Sequence, residues 1–150
     1  MDADIYVLAN QRKAESIIKI LDRYLPNRVY QLGDKNVEFE FWDDAIDAGN
    51  QPSLFFKSEL ELFTFLENQT KIIFRPSFRS TNNSLIRMVN FYYFQDDSLI
   101  VGLNIYQDSE REELLLDELK SLLNSDYGYI SYHIPPESER EAFIRVSKDH

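Results

Sequence analysis

The sequence predicts an α+β fold: a mainly antiparallel sheet of roughly four to six strands with three or four helices packed on it. Three observations predict it. Residues 71–78, 84–94 and 99–106 are strand-like runs that follow one another with no helix between them. Their connectors, 79–83 (RSTNN) and 95–98 (QDDS), are short and rich in turn residues, as hairpins require. The flanking segments instead repeat apolar residues at three- and four-residue spacing or open on helix-capping patterns. At 150 residues the chain has the length of one domain, and no linker, low-complexity stretch or long-period repeat divides it.

Residues 4–9 (DIYVLA) are β-branched and aromatic and open the chain as a strand. Asn10 is placed to cap a helix over 11–25, whose Ala14, Ile17, Ile18, Leu21, Tyr24 and Leu25 form one face. Pro26-Asn27 ends it, and the polar stretch 31–36 is a loop. Residues 37–42 (VEFEFW) alternate as a half-buried strand, or a lid, with one acidic face, followed by the irregular stretch 43–52. Ser58 with Glu61 is a capping box for a helix over 58–68 that buries Leu62, Phe63, Phe65 and Leu66.

The run 84–94 has apolar residues on both faces and so belongs at the centre of the sheet, covered on both sides. In 99–106, Gly102 marks a bulge or a close approach. Ser109 with Glu112 is a second capping box. It opens a helix to about Asn124 with Leu115, Leu116, Leu119, Leu122 and Leu123 inward and Glu110, Glu112, Glu113, Asp117 and Glu118 outward. Residues 127–134 form the last strand, stopped by Pro135-Pro136, and 137–146 a short closing helix.

Composition excludes several classes. With 43% hydrophobic and 14% aromatic residues the chain is no disordered tail. Without cysteine it has no disulfide framework, cysteine zinc site or thiol chemistry. Sixteen Lys+Arg against 26 Asp+Glu give a net charge of −10. That balance argues against nucleic-acid and anionic-membrane partners and favours a basic protein partner. The opening residues lack the basic and apolar regions of a secretory signal, and the reading is a cytoplasmic protein.

Catalytic motifs are missing. Glycine occurs only at 33, 49, 102 and 128, so no GxGxxG, phosphate loop or GxSxG elbow can be written. The two histidines, His133 and His150, have no metal-ligand spacing. No metal or cofactor is expected. Glu38 and Glu40 share a strand face, and Asp43, Asp44 and Asp47 follow without calcium-loop spacing, which makes them a solvated acidic face. Asp96-Asp97 suits a tight turn. Arg75, Arg79 and Arg87 fall in or beside adjacent strands. They either pair with surplus carboxylates or, on one face, clamp an anion. Trp42, ending the acidic strand, is the hot-spot candidate for a protein interface.

The segments DIYVLANQR, RYLPNR, DSLIVGLNIY and DYGYISYHIPPESEREAFI resemble small uncharacterised bacterial single-domain proteins. In size, acidity and lack of catalytic motifs the chain is also similar to immunity proteins of bacterial polymorphic toxin systems. It lacks the glycine- and tryptophan-rich signature of the yeast-cell-wall-regulator-like immunity family. The second resemblance implies a non-enzymatic protein that binds and blocks a cognate toxin, often a basic nuclease. The expected partner surface is Glu38, Glu40, Trp42, Asp43, Asp44 and Asp47. The alternative is an enzyme or small-ligand protein whose pocket gathers Arg75, Arg87, Tyr93 and His133 on the central sheet. A third reading is a homodimer formed through an exposed aromatic sheet face.

Overall fold

The first strand, β1 (Asp2–Leu8), divides the apolar interior into two layers. Ala3, Ile5 and Val7 enter one core cluster, Tyr6 and Leu8 the other, as the two-residue side-chain period of a strand dictates. The computed structural model describes residues 1–31, 38–45, 53–82 and 84–150. After β1 come α1 (Ala14–Tyr24), β2 (Arg28–Gln31), β3 (Phe39–Phe41), β4 (Leu54–Phe56), α2 (Glu59–Glu67) and β5 (Ser77–Ser80). Then follow β6 (Ile86–Tyr93), β7 (Leu99–Tyr106), α3 (Ser109–Leu122), β8 (Gly128–Ser131) and α4 (Arg140–Lys148). Six strands form one antiparallel sheet in the order β2-β5-β6-β7-β1-β8, and β3 pairs with β4 apart from it. This is the α+β arrangement the sequence predicts.

The larger core lies between the sheet and α1, α2 and α3. Phe63 of α2 sits 5.2 Å from Phe91 and 5.9 Å from Phe78, ring centre to ring centre, and all three are wholly buried. Burying each such side chain contributes about 1.5–3 kcal/mol. The apolar stripe of α1 (Ala14, Ile17, Ile20, Leu21, Tyr24) feeds the same core. On the opposite sheet face the smaller core gathers Tyr6, Leu8, Ile100, Tyr129 and Phe143, with Tyr92, Phe94, Ile144 and Val146 packed against it. Among the described residues, α4 covers this face over the β1 and β8 end, and the stretch after β8 reaches it where the Ile134 carbonyl accepts from the Tyr6 hydroxyl at 3.1 Å. The central strands β6 and β7 are therefore covered on both sides only in part, not fully as their apolar content predicts.

Several boundaries move. Helix α1 starts at Ala14, not after Asn10, and its cap position is Lys13, whose carbonyl accepts from the Ser16 and Ile17 amides. The capping box of α3 is shifted by one residue. Asp108 caps the Arg111 amide, and the Glu112 carboxylate accepts from the Asp108 amide at 2.6 Å. Glu112 is thus buried rather than outward, and Leu122 is exposed rather than inward. The run 71–78 becomes a single bridge between Phe74 and Tyr93 followed by β5, so Arg79 lies in a strand. The register shift of the β6–β7 ladder lies between Ile86 and Met88, so of the two readings of Gly102 the close approach holds and the bulge does not.

Candidate functional site

Register across the sheet decides which side chains meet. One cross-strand row is Phe78, Val89, Leu103 and Ile5, all in the larger core. The rows beside it, Ser77-Asn90-Gly102-Tyr6 and Arg79-Met88-Asn104-Asp4, face the other way. There the sheet extends beyond the cover of α4 and presents a polar and aromatic surface. Ser77 Oγ donates to Asn90 Oδ1 at 2.6 Å, and Asn104 Nδ2 donates to Asp4 Oδ1 at 2.9 Å. Gly102 is the close approach: a Cβ there would come within 3.1 Å of the Tyr6 ring and 3.3 Å of Tyr92. The space it leaves lets Tyr6 and Tyr92 meet edge to face at 5.9 Å.

A cavity of about 400 Å³ opens where this surface meets the stretch after β3. Its walls include Trp42, Asp44, Ile73, Phe74, Arg75, Ser77, Met88, Tyr92 and Phe94. Trp42 packs edge to face on Phe74 at 5.8 Å, and its indole Nε1 donates to Asp44 Oδ1 at 2.6 Å. The next two residues fasten this segment to the one that carries Ile73, Phe74 and Arg75. Asp43 Oδ1 accepts from the Ile73 and Ala45 amides, each at 2.9 Å, and the Asp44 amide donates to the Ile73 carbonyl at 2.8 Å. Arg75 is exposed and lays its guanidinium over the Tyr92 ring at 5.8 Å. Burial pushes the Tyr92 hydroxyl pKa up, and the Arg75 charge acts against that shift. A second concavity of about 360 Å³, lined in part by Arg79, Arg87 and Tyr106, shares Gln31 and Met88 with the first.

The residues of the expected partner surface differ in exposure. Glu38 and Asp44 are exposed, Glu40 and Trp42 half-buried. The Glu40 carbonyl accepts from the Tyr30 hydroxyl at 2.8 Å. Asp43, only 9% exposed, is a staple between chain segments rather than a solvated charge. Asp47 lies outside the described residues.

The four residues of the alternative pocket do not converge. Arg75 and Tyr93 border the cavity. The Tyr93 side chain, however, belongs to the larger core on the far side of the sheet, wholly buried beneath the Arg12 guanidinium at 4.8 Å. Arg87 turns to the chain start, where Nη1 meets both Asp2 oxygens at 2.7 Å, and stacks over Tyr106 at 4.7 Å. His133 is exposed beyond β8 with φ 68°. Tyr92 and Phe94 replace them. Alternation along β6 puts Tyr92 opposite Tyr93, a signal present in the sequence. The Phe74–Tyr93 bridge that brings Arg75 beside Tyr92 is not.

Among the described residues no group of three or more His, Asp or Glu side chains is placed to hold a metal ion. None of the described helices is long and apolar enough to cross a membrane.

No family model and no curated protein matches the chain. In structure it is similar to a chain of the 1.75 Å crystal structure of the toxic C-terminal tip of CdiA from Pseudomonas aeruginosa in complex with immune protein. The identity is 14% and the TM-score 0.43, over 94% of this chain and 92% of that one. A likeness at that level carries no argument about function.

Proposed function

We propose that this chain is a non-enzymatic protein-binding domain for a basic protein partner, acting as an immunity protein does when it neutralises a basic toxin. The observation that carries the reading is Trp42, half-buried and fixed against exposed Asp44, in a chain of net charge −10. Excess carboxylates speed encounter with a cationic surface, and an aromatic side chain held in place at the rim slows release. In this reading Glu38, Glu40, Asp44 and Asp47 supply the charge, Trp42 the apolar anchor, and Asp43 holds the stretch in shape. Inhibition of a nuclease would then consist of carboxylates occupying the positions its substrate phosphates take. The test is a quadruple E38Q/E40Q/D44N/D47N variant. Binding to the captured partner should weaken and its salt dependence flatten. Unchanged affinity and slope would remove this surface from the account.

A further inference from the structure

Arg75, like Arg79, Arg140 and Arg145, makes no ion pair among the described residues, but it alone of these four borders the cavity beside Trp42. Arg12, Arg23, Arg28, Arg87 and Arg111 each meet a carboxylate. Arg75 has none within ion-pair distance among the described residues, in a chain where acids outnumber bases 26 to 16. Its guanidinium is held over the Tyr92 ring and borders the 400 Å³ cavity, a volume within the ~300–1,000 Å³ range of small-molecule sites. The rest of the lining is largely aromatic and apolar: Trp42, Phe74, Met88 and Phe94.

We propose that the cavity between Trp42 and Arg75 binds a carboxylate attached to an aromatic or apolar body. Arg75 presents a planar fork that matches a carboxylate, and the ring walls take the body. The Asp44 carboxylate is already engaged by the Trp42 indole, so it leaves Arg75 to the ligand. Its charge, with the net −10 of the chain, disfavours a phosphate dianion or a dicarboxylate against a monoanion. The bonds from Asp43 and Asp44 to Ile73 hold the segments that carry Trp42 and Arg75 at a set distance before any ligand arrives. This site shares Trp42 and Asp44 with the protein-partner surface but differs from it in its charge requirement, and R75Q touches the cavity alone.

Trp42 is the only tryptophan in the chain, so its emission reports on the cavity directly. The probes are 3-phenylpropionate, its neutral amide, and the tripeptide Ala-Ala-Phe with a free C terminus. The first stands for a free small acid and the last for the end of a polypeptide. The expected result is a saturable change in Trp42 emission with one of the two acids, at a Kd below about 1 mM. The amide, and the acid with R75Q, should bind at least about tenfold more weakly. Circular dichroism of R75Q should match the parent, since Arg75 is exposed. The proposal is overturned if neither acid gives a saturable change, if the amide binds as well as the acid, or if a correctly folded R75Q binds unchanged.

Discussion

The Ser147 hydroxyl of α4 holds both backbone groups of Gly128 in β8, accepting from its amide at 2.9 Å and donating to its carbonyl at 3.1 Å. β8 is one of the two edge strands of the sheet, and an edge strand otherwise leaves such groups unpaired. The Ser147 side chain thus adds to the packing of Phe143, Ile144 and Val146 that docks α4 on the sheet, and it closes part of the edge. Replacing Ser147 by Ala should cost about 1–3 kcal/mol, the penalty of leaving buried backbone groups unsatisfied. The denaturation midpoint in urea measures it.

Gly128 has no room for a side chain. A Cβ would lie 2.7 Å from the Tyr6 carbonyl oxygen, 2.9 Å from Val7 Cγ2 and 3.0 Å from Leu116 Cδ1. The nearest of these is backbone, which cannot swing aside. G128A should therefore destabilise by at least about 2 kcal/mol through overpacking, read as a fall in the thermal midpoint.

Arg28 ties β2 to the helical layer. Its Nε and Nη2 reach the two Glu59 oxygens at 2.7 and 2.6 Å, while Nη1 meets Asp22 at 2.9 Å and the Leu25 carbonyl at 3.0 Å. The arginine side chain is only 12% exposed. Lysine carries the charge but not the fork, so R28K should lose about 1–2 kcal/mol. A double-mutant cycle with E59Q isolates the pair from the packing of the stem.

Acid should weaken the contact between α1 and α3. The Glu118 carboxyl is held below its ordinary value of 4.5, first by the Arg23 guanidinium at 2.6 Å and also by the Tyr24 hydroxyl at 2.8 Å. A carboxyl depressed in the folded state binds protons more tightly when unfolded. Its contribution is therefore present above about pH 4.5 and lost as pH falls through the lower folded value. The pair is partly exposed, so the effect is small. The stability gap between the parent and E118Q should be wider at pH 7 than at pH 3, as urea unfolding at the two pH values will show.

Strong patterns in the sequence survive folding because they reflect burial that many residues share. Apolar residues on both faces of residues 84–94 do mark a central strand, β6. The Ser58 and Glu61 pair does cap α2, with Ser58 Oγ accepting from the Glu61 amide at 3.2 Å. Short elements are not legible: β2 and β4 have four and three residues, too few to show a period, and owe their existence to their partners. Arg79 reads as a turn residue because its strand is recruited by Met88 across the ladder. The site shows the same division. Trp42 beside Asp43 and Asp44 is visible as a sequence feature. That Asp43 becomes a buried staple, that Tyr93 points into the core and that Arg75 reaches Tyr92 all depend on strand register.

The most direct test of the protein-partner reading is capture from lysate of the native host at low salt, eluted in a salt gradient, with the E38Q/E40Q/D44N/D47N variant run in parallel. The account predicts one basic protein retained by the parent, released at moderate or high salt, and absent or released early from the variant. Retention of no basic protein by the parent, or the same elution position from the variant, would contradict it.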